Sequence, residues 1–275
     1  MSCLSNTQAV IEERGELSWG HRRIANQDQR QGKDMVDLKG TVAMVTGASS
    51  GIGRAIALAL AAEGATVCAS GRNLGGLQGA VAEAGPAACM TALRADLTIE
   101  EDLELLRDHL SRAGKLDILI HAAGAIHQGQ MQDARIEDLD VQYAINVRAP
   151  YVLTKRLLPL LTASRGQIVF LNSTAGLNAK RAEAGQYAAT KHALRAVADS
   201  LREEVNSKGV RVLSLYLGRT ATPMQEALCR QERKEYHPEL LVQPEDVASV
   251  ILTALLLPRT AEITDISIRP MQKPG

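Results

Sequence analysis

The chain has 275 residues, of which 45% are hydrophobic and 23% charged, and its formal net charge at pH 7 is zero. This length and composition are ordinary for one α/β domain with a sizeable core, and the zero net charge excludes a basic surface that would hold nucleic acid or an anionic membrane. No apolar run approaches a transmembrane helix in length. The four cysteines are scattered without metal-ligand spacing, so we predict a cytoplasmic protein with reduced thiols and no metal site.

The first segment, residues 1–35, is polar, mixed in charge and poor in apolar residues. Such a composition buries too little apolar surface to fold alone, so we expect a mostly disordered N-terminal extension. Two alternatives remain open, an overextended start before Met35 and a functional arm that packs on a partner subunit through Trp19. Residues 36–275 are expected to form a single domain.

Beyond this segment, short apolar strands alternate with longer stretches of helical periodicity. This alternation implies right-handed crossovers, and it predicts an α/β fold with a doubly wound, seven-stranded, mostly parallel sheet and helices on both faces. The strands are predicted near 41–46, 65–70, 88–94, 117–121, 167–172, 210–216 and 263–268. The helices are predicted near 51–63, 74–84, 99–113, 137–164, 185–207 and 244–257.

A glycine-rich turn directly follows the first predicted strand and opens a long helix. Its glycines allow the backbone to turn tightly and to approach a ligand closely. The free amides and positive dipole end of the helix then attract a pyrophosphate. The spacing Gly-x-x-x-Gly-x-Gly in this position indicates the dinucleotide site of a Rossmann-type fold. The predicted contacts are Gly47, Ser49, Ser50, Gly51, Ile52 and Gly53.

A second local pattern, Tyr187 and Lys191 in the run QYAATKHAL, lies in an alanine-rich stretch that is typical of a helix. Residues four apart share one helix face, so the phenol and the ammonium group become neighbours. A nearby cation stabilises a phenolate, so we expect the pKa of Tyr187 to be lowered from its usual value of about 10. Such a pair is suited to passing a proton to or from a substrate oxygen. The spacing alone also fits a half-buried tyrosine beside a solvated lysine.

Together these motifs make the chain resemble the short-chain dehydrogenase/reductase family from about Leu38 to Pro270. The resemblance rests on motifs in the family's order: TGASSGIG at 46–53, HAAG at 121–124, YAINVRAPY at 143–151, QIVFLNSTAG at 167–176 and YAATK at 187–191. It implies further cofactor contacts through Asp96, Leu97, Ala123, Gly124, Tyr187, Lys191, Gly218 and Thr222.

The resemblance also implies a reaction, hydride transfer between a nicotinamide and a ketone or secondary alcohol. Tyr187 would exchange the proton as general acid/base, and Ser173 would hold the carbonyl oxygen. Lys191 would lower the pKa of the tyrosine and bind the nicotinamide ribose, and Asn146 would anchor a water that passes protons to the lysine. Each has a plainer alternative; Ser173 could simply end a strand, and Asn146 could hydrogen-bond a helix kink.

The end of the second strand indicates which nicotinamide cofactor binds. NAD-specific sites place an acidic residue there to accept hydrogen bonds from the ribose, whereas this chain has Gly71 followed by Arg72 and Asn73. No carboxylate would repel a 2′-phosphate, and a guanidinium can pair with one through two hydrogen bonds. We therefore predict NADP(H) rather than NAD(H), with Arg72 and Asn73 among its contacts. The alternative is a surface arginine in a turn. The family's other basic mark for NADP is absent, because Ser50 fills that site.

Three departures from the family pattern stand out. The gap from Ser173 to Tyr187 is one residue longer than usual. HAAG replaces Asn-Asn-Ala-Gly, which weakens the expected local hydrogen bonding. Leu217 replaces a proline, so the segment before Gly218 is expected to be less rigid. His121, His127 and His192 lack a carboxylate or cysteine cluster, so we interpret them as structural or solvated rather than metal ligands.

The substrate pocket is expected to form from 125–130, 175–186 and 221–239, with few aromatic side chains. An aliphatic or alicyclic ketone or secondary alcohol fits such a pocket better than a stacked aromatic ring. The predicted lining is Met131, Leu177, Asn178, Met224, Leu228 and Tyr236. Lys180 and Arg181 at the rim could attract an anionic group, but we favour solvated charges.

Two other functions stay open at this stage. One is a catalytically silent NADP-binding regulatory protein of the same fold, although Asn146, Ser173, Tyr187 and Lys191 are all present. The other is a sugar-nucleotide epimerase or dehydratase, which needs a substrate domain that 36–275 leaves no room for. By resemblance, the protein forms a homodimer or homotetramer through 137–164 and 185–207.

Overall fold

A seven-stranded sheet runs through the part of the chain that the structure describes. The structure, a computed structural model, describes residues 38–272, and the predicted extension 1–35 lies outside them. The strands are β1 (Val42–Thr46), β2 (Thr66–Gly71), β3 (Met90–Arg94), β4 (Ile118–His121), β5 (Gln167–Ser173), β6 (Arg211–Leu217) and β7 (Asp265–Ile268). Their order is β3-β2-β1-β4-β5-β6-β7, and every neighbouring pair is parallel.

Helices cover both faces of the sheet. They are α1 (Gly51–Ala62), α2 (Leu74–Ala84), α3 (Glu100–Ala113), α4 (Ile136–Tyr143), α5 (Ala149–Ser164), α6 (Gly185–Val205), α7 (Pro223–Gln231) and α8 (Pro244–Leu255). The buried side chains of α1, α2 and α8 share one apolar cluster, and those of α3, α5 and α6 share a second. Successive strand residues alternate between them, as Met44 and Val45 do. The predicted single-domain, doubly wound Rossmann-type α/β fold is confirmed.

The sheet places a crevice at the carboxyl end of β1. This strand pairs with β2 on one side and β4 on the other, so Thr46 stands level with Ser70 and His121. The chain leaves β1 toward one edge of the sheet and later returns to the other side of it. Open α/β sheets bind their ligands at such a switch point, outside the carboxyl ends of the strands.

The long helix predicted at 137–164 is instead interrupted. α4 ends at Tyr143, a π-helical turn occupies Ala144–Arg148, and α5 begins at Ala149. Pro150 gives a physical reason, because it has no N–H to donate to the carbonyl of Asn146 in an α-helical pattern. Such π-turns inside helices are frequent at functional sites. The predicted helices also lack α7, which begins at Pro223.

Within residues 38–272, no helix combines the length and hydropathy needed to cross a bilayer. Nor does this part of the chain hold a group of three or more His, Cys, Asp or Glu side chains arranged to bind a metal ion.

Candidate active site

The glycine-rich turn between β1 and α1 is packed too closely for side chains. A Cβ on Gly47 would lie 2.7 Å from the amide nitrogen of Ala123, and one on Gly53 would lie 2.4 Å from the carbonyl oxygen of Gly47. Gly47 and Gly51 also have positive φ angles of 68° and 53°, which glycine adopts without strain. The turn therefore presents bare backbone to the crevice.

The start of α1 offers unshielded amide donors beside this turn. Ser50 occupies the N-cap position without a side-chain capping hydrogen bond, and the first turn of the helix holds no acidic residue. The first amides of a helix lack intrahelical partners and carry its positive dipole end. An anionic group is therefore favoured at this place.

Thr46 holds the turn against the neighbouring strand β4. Its hydroxyl donates to the carbonyl of Ile120 at 3.2 Å and accepts from the amides of Ala122 at 3.1 Å and Ala123 at 3.3 Å. His121 is buried, stacks on the Phe170 ring with centroids 4.9 Å apart, and contacts the Thr154 hydroxyl at 2.8 Å through Nε2. Burial lowers the His121 pKa to about 3, so it is a neutral structural residue. HAAG thus retains local hydrogen bonding despite lacking the family's asparagines.

At the end of β2, Arg72 and Asn73 are exposed at the crevice mouth. The Asn73 side chain caps α2 by accepting from the amide of Gly76 at 3.1 Å. Across the mouth, Asp96 accepts from the amide and hydroxyl of Thr98 at 3.0 and 2.7 Å. Burial acts to raise the pKa of Asp96, but the Thr98 hydrogen bonds and the charges of Arg72 and Arg94 outweigh it, so the pKa lies below its usual value. Arg72 thus lies within electrostatic reach of Asp96.

Ser173, Tyr187 and Lys191 meet where β5 ends against α6. The Lys191 ammonium is buried, donates to the carbonyl of Leu171 at 2.9 Å, and lies 5.8 Å from the centroid of the Tyr187 ring. Burial lowers the pKa of Lys191 from 10.5 to about 8. The Ser173 hydroxyl accepts from the amide of Ala175 at 3.2 Å and faces the same crevice.

The expected lowering of the Tyr187 pKa is wrong. Desolvation by burial is the largest influence and raises the pKa, while a hydrogen-bonding interaction with Ser173 opposes it only in part. Tyr187 and Lys191 are neighbours, as their helical spacing predicts. Even so, desolvation changes the pKa of the phenol more than the ammonium of Lys191 does. Tyr187 is therefore protonated at neutral pH.

Asn146 lies behind the crevice, 1% exposed, on the π-helical turn. Its Oδ1 accepts from the amide of Ala125 at 2.8 Å, and its Nδ2 donates to the carbonyl of Ala125 at 2.9 Å and the Thr190 hydroxyl at 3.0 Å. Thr190 in turn donates to the carbonyl of Tyr187 at 2.8 Å. The Asn146 side chain therefore links Ala125, which follows β4, to α6, the helix that carries Tyr187 and Lys191.

The carboxyl end of β6 closes the crevice from the far side. Leu217 lies inside β6, paired with Ser173 and Ile268, and the lower rigidity expected before Gly218 stays a prediction. Thr222 caps α7 by accepting from the amide of Gln225 at 3.2 Å. A Cβ on Gly51 would lie 3.1 Å from its methyl carbon. The segment after β6 therefore reaches the glycine-rich turn.

These residues line one cleft of about 640 Å³. Among the predicted catalytic and cofactor-binding residues, Asn146 is the one that is not part of the lining. The cleft contains Gly47, Ser49, Ser50, Gly51, Ile52, Gly53, Arg72, Asn73, Asp96, Leu97, Ala123, Gly124, Ser173, Tyr187, Lys191, Gly218 and Thr222.

Comparison with known proteins identifies the family. The short chain dehydrogenase family model matches residues 41–233. An uncharacterised oxidoreductase of Staphylococcus epidermidis is 32% identical over 239 residues, which cover 86% of this chain and 100% of that protein. The chain belongs to the short-chain dehydrogenase family. It is therefore an oxidoreductase by family membership.

Solved structures of other short-chain dehydrogenases share this fold. One from Burkholderia cenocepacia, in complex with NADP, is 29% identical with a TM-score of 0.74, covering 84% of this chain and 97% of that one. A 7α-hydroxysteroid dehydrogenase, complexed with NADH and 7-oxo glycochenodeoxycholic acid, is 26% identical with a TM-score of 0.77, covering 86% and 95%.

In this short-chain dehydrogenase the predicted substrate lining is partly wrong. Met224, Leu228 and Arg181 line the cleft, but Met131 is 91% exposed and Leu177, Asn178, Lys180 and Tyr236 are not part of the lining. Gln128 and Gln225 also line it, within the predicted segments 125–130 and 221–239, whereas Arg219 lies outside the predicted segments and was missed. Arg219 could have been found from its position directly after Gly218. Arg181 is also no free solvated charge, because it pairs with Glu232 at 2.6 Å.

Proposed function

We propose that this protein is an NADP(H)-dependent oxidoreductase that interconverts a ketone and a secondary alcohol, with Tyr187 as the general acid/base. The observation that carries the proposal is the single cleft that contains the glycine-rich turn together with Ser173, Tyr187 and Lys191. A dinucleotide bound along the turn would therefore end beside a phenol and a hydroxyl. That arrangement suits proton exchange with an oxygen attached to the carbon that gains or loses hydride.

The residues present fit a dinucleotide. The Cβ-free backbone at Gly47 and Gly53 and the uncapped start of α1 would hold its pyrophosphate. Gly218 and Thr222 would hold the nicotinamide end, and Asp96 with Leu97 the adenine end. The nicotinamide, when bound, supplies or accepts the hydride.

The preference for NADP(H) over NAD(H) is supported by the end of β2. The residue at this position is Gly71, so no carboxylate would repel the 2′-phosphate of NADP(H). The neighbouring Arg72 is exposed, and its guanidinium can pair with that phosphate. Its charge is partly offset by the nearby Asp96, so we expect a preference rather than an absolute requirement. The related solved structures are seen with NADP in one protein and with NADH in another.

In the proposed reduction, Ser173 donates a hydrogen bond to the carbonyl oxygen, and Tyr187 donates the proton as the hydride reaches the carbon. Burial raises the pKa of Tyr187, so the phenol is protonated at neutral pH and available as the acid in the reduction. Lys191, with a pKa of about 8, is still mostly charged at pH 7 and stabilises the phenolate left after proton transfer.

In the proposed mechanism, protons reach Lys191 through a water near Asn146. Both Nδ2 donors of Asn146 are used by Ala125 and Thr190, and its Oδ1 accepts from Ala125, so we infer that the side chain positions the π-turn rather than a water. A water at this place would be held by the main-chain carbonyl of Asn146, for which Pro150 offers no α-helical donor. Asn146 is thus a positioning residue in the proposal.

The proposal extends to assembly and location. We propose a cytoplasmic homodimer or homotetramer that acts on a small molecule. Val141, Tyr143 and Tyr151, on α4 and α5, are 43%, 51% and 55% exposed, and their apolar surface supports self-association through these helices.

The test is a consumption screen over ketones, β-ketoacyl thioesters, quinones and steroids, run with NADPH and with NADH. NADPH carrying deuterium at both C4 positions should leave one deuterium on the carbinol carbon of each alcohol product. We expect at least one aliphatic or alicyclic ketone to be reduced, with NADPH the better donor. Binding of NADPH without oxidation by any carbonyl compound would favour the silent regulatory protein instead.

A further inference from the structure

Three cationic side chains contact one carboxylate near the end of the cleft that holds Tyr187, which we call the substrate end. Glu232, just past the end of α7, contacts Arg181 at 2.6 Å, Arg219 at 3.0 Å and Lys234 at 3.5 Å. Arg181 comes from the segment between β5 and α6, and Arg219 from the residue directly after Gly218. Glu232 thus fixes side chains from two loops that border the cleft.

The cluster carries an excess of positive charge. Burial acts to raise the pKa of Glu232, but the hydrogen bond from Arg181 and the charge of Arg219 outweigh it, so the pKa is lowered and the carboxylate is ionised. One negative charge then faces three positive ones, which leaves a net charge of +2. Arg181 and Arg219 line the cleft together with Tyr187.

Both guanidinium groups keep donors for a ligand. A guanidinium has five N–H donors, and among the described residues the hydrogen bond of each is the one from Nη2 to Glu232. The side chains of Arg181 and Arg219 are 40% and 23% exposed, whereas Glu232 is 10% exposed. Glu232 is therefore placed behind the arginines, which face the open cleft.

The rest of the lining offers these arginines no second acid. Asp96 is the one acidic residue among the described residues that line the cleft. It binds Thr98 and lies near Arg72, at the end of β2. Two arginines that share one carboxylate, beside a partly apolar wall of Met224 and Leu228, therefore leave a positive field over the substrate end.

We propose that the substrate carries a carboxylate, which Arg181 and Arg219 bind while its carbonyl or hydroxyl group faces Tyr187. The substrate class is thus a keto acid, or the corresponding hydroxy acid in oxidation. This inference rests on the proposed function and adds the substrate's charge to it. A purely structural role, in which the arginines only tie two loops to α7, predicts lost stability without discrimination between charged and neutral ligands.

The test uses a series of keto acids with one to six methylene groups between carbonyl and carboxylate, each beside its methyl ester. Calorimetric titration, with and without NADP⁺, gives the affinity of each acid and ester. The kcat/KM for NADPH-dependent reduction gives the same comparison at turnover. The variants are Arg181→Gln, Arg219→Gln and a matched control, Arg230→Gln, whose side chain is 75% exposed and pairs with Glu226.

We expect at least one acid to exceed its ester about tenfold or more in affinity and in kcat/KM, since hydrogen bonds between charged groups carry that much discrimination. Arg181→Gln and Arg219→Gln should bring the ratio of acid to ester near one, because they weaken binding and reduction of the acid more than those of the ester. Arg230→Gln should keep the acid preference. Urea unfolding of each variant separates this effect from lost stability.

Equal binding of acids and esters by the wild-type protein overturns the inference, as does an acid preference that survives both arginine substitutions. A loss of NADPH affinity in Arg219→Gln with an intact acid preference also overturns it, because the arginine would then serve the nucleotide. Reduction of esters or other neutral ketones alone contradicts the carboxylate and leaves the proposed function standing. Selective binding of acids without any hydride transfer supports the site and contradicts the proposed function.

Discussion

The two ends of the cleft are built from different materials. The nucleotide end is formed by backbone, because the turn at 47–53 and the start of α1 present amides where Cβ atoms would clash with main-chain atoms. The substrate end is formed by side chains whose partners lie far away in sequence, such as Arg181 and Glu232, 51 residues apart. A backbone site tolerates little variation at its glycines, whereas a side-chain site can change its ligand by single substitutions. We therefore expect the nucleotide end to serve cofactor binding and the substrate end to determine which substrate binds.

The largest effect on cofactor binding should come from adding one methyl group at the nucleotide end. In Gly53→Ala the new Cβ would lie 2.4 Å from the carbonyl oxygen of Gly47, so the turn must shift. We expect NADPH affinity to fall more than a hundredfold and the free energy of unfolding to fall by about 1–3 kcal/mol. Fluorescence titration and urea unfolding measure the two quantities.

The matched control is Gly79→Ala in α2, where a Cβ meets nothing within 4 Å. It should bind NADPH normally and raise the free energy of unfolding by about 1 kcal/mol, because alanine favours helix. Equal NADPH binding by the two alanine variants would contradict the backbone account of this end.

Lys191 is expected to lower the free energy of unfolding, because its charged ammonium is buried beside Tyr187. The lowered pKa, from 10.5 to about 8, corresponds to a cost of about 3 kcal/mol at neutral pH. Lys191→Met loses the hydrogen bond to Leu171, so we expect a net rise of about 2 kcal/mol in the free energy of unfolding at pH 7, together with lost turnover.

The sign of the pH dependence follows from proton uptake. Between about pH 8 and 10.5 the unfolded chain binds a proton at Lys191 that the folded protein does not hold, so this group's contribution makes the wild type more stable as pH rises. The advantage of Lys191→Met should therefore shrink across that window. Urea unfolding at several pH values measures it, with exposed Lys155→Met on α5 as the control. A constant advantage at every pH would show that Lys191 is not held as a buried cation.

The smallest expected effect lies at the end of β2, where side chains modify the backbone site. A Cβ on Gly71 would lie 3.4 Å from the Ser49 hydroxyl oxygen, an ordinary van der Waals contact, so a side chain can begin there without a clash. Gly71→Asp combined with Arg72→Ile should shift the ratio of kcat/KM for NADPH to that for NADH about tenfold or more toward NADH. An unchanged ratio would show that Arg72 does not bind a 2′-phosphate.

The features predicted from sequence are those that depend on local patterns. The parallel sheet follows from alternating apolar strands and helices, and the glycine-rich turn from three glycines between β1 and α1. The helical spacing of Tyr187 and Lys191 correctly made them neighbours. These features need no knowledge of distant contacts.

Other features depend on contacts that no local pattern encodes. The raised pKa of Tyr187 comes from desolvation by its surroundings, which spacing to Lys191 does not report. The pairing of Arg181 with Glu232 joins segments far apart in sequence. The π-helical turn at 144–148 did have a local signal in Pro150, since a proline inside a helix removes a backbone donor.

The most direct test of the division between the two ends is Tyr187→Phe, which keeps the ring and deletes the hydroxyl. NADPH affinity and kcat should be measured on the same preparation, beside Tyr151→Phe, which changes an exposed phenol on α5. We predict that kcat falls about 10²–10⁴-fold in Tyr187→Phe, while NADPH affinity and the Tyr151→Phe control remain at wild-type levels. Turnover by Tyr187→Phe close to that of the wild type would contradict the account.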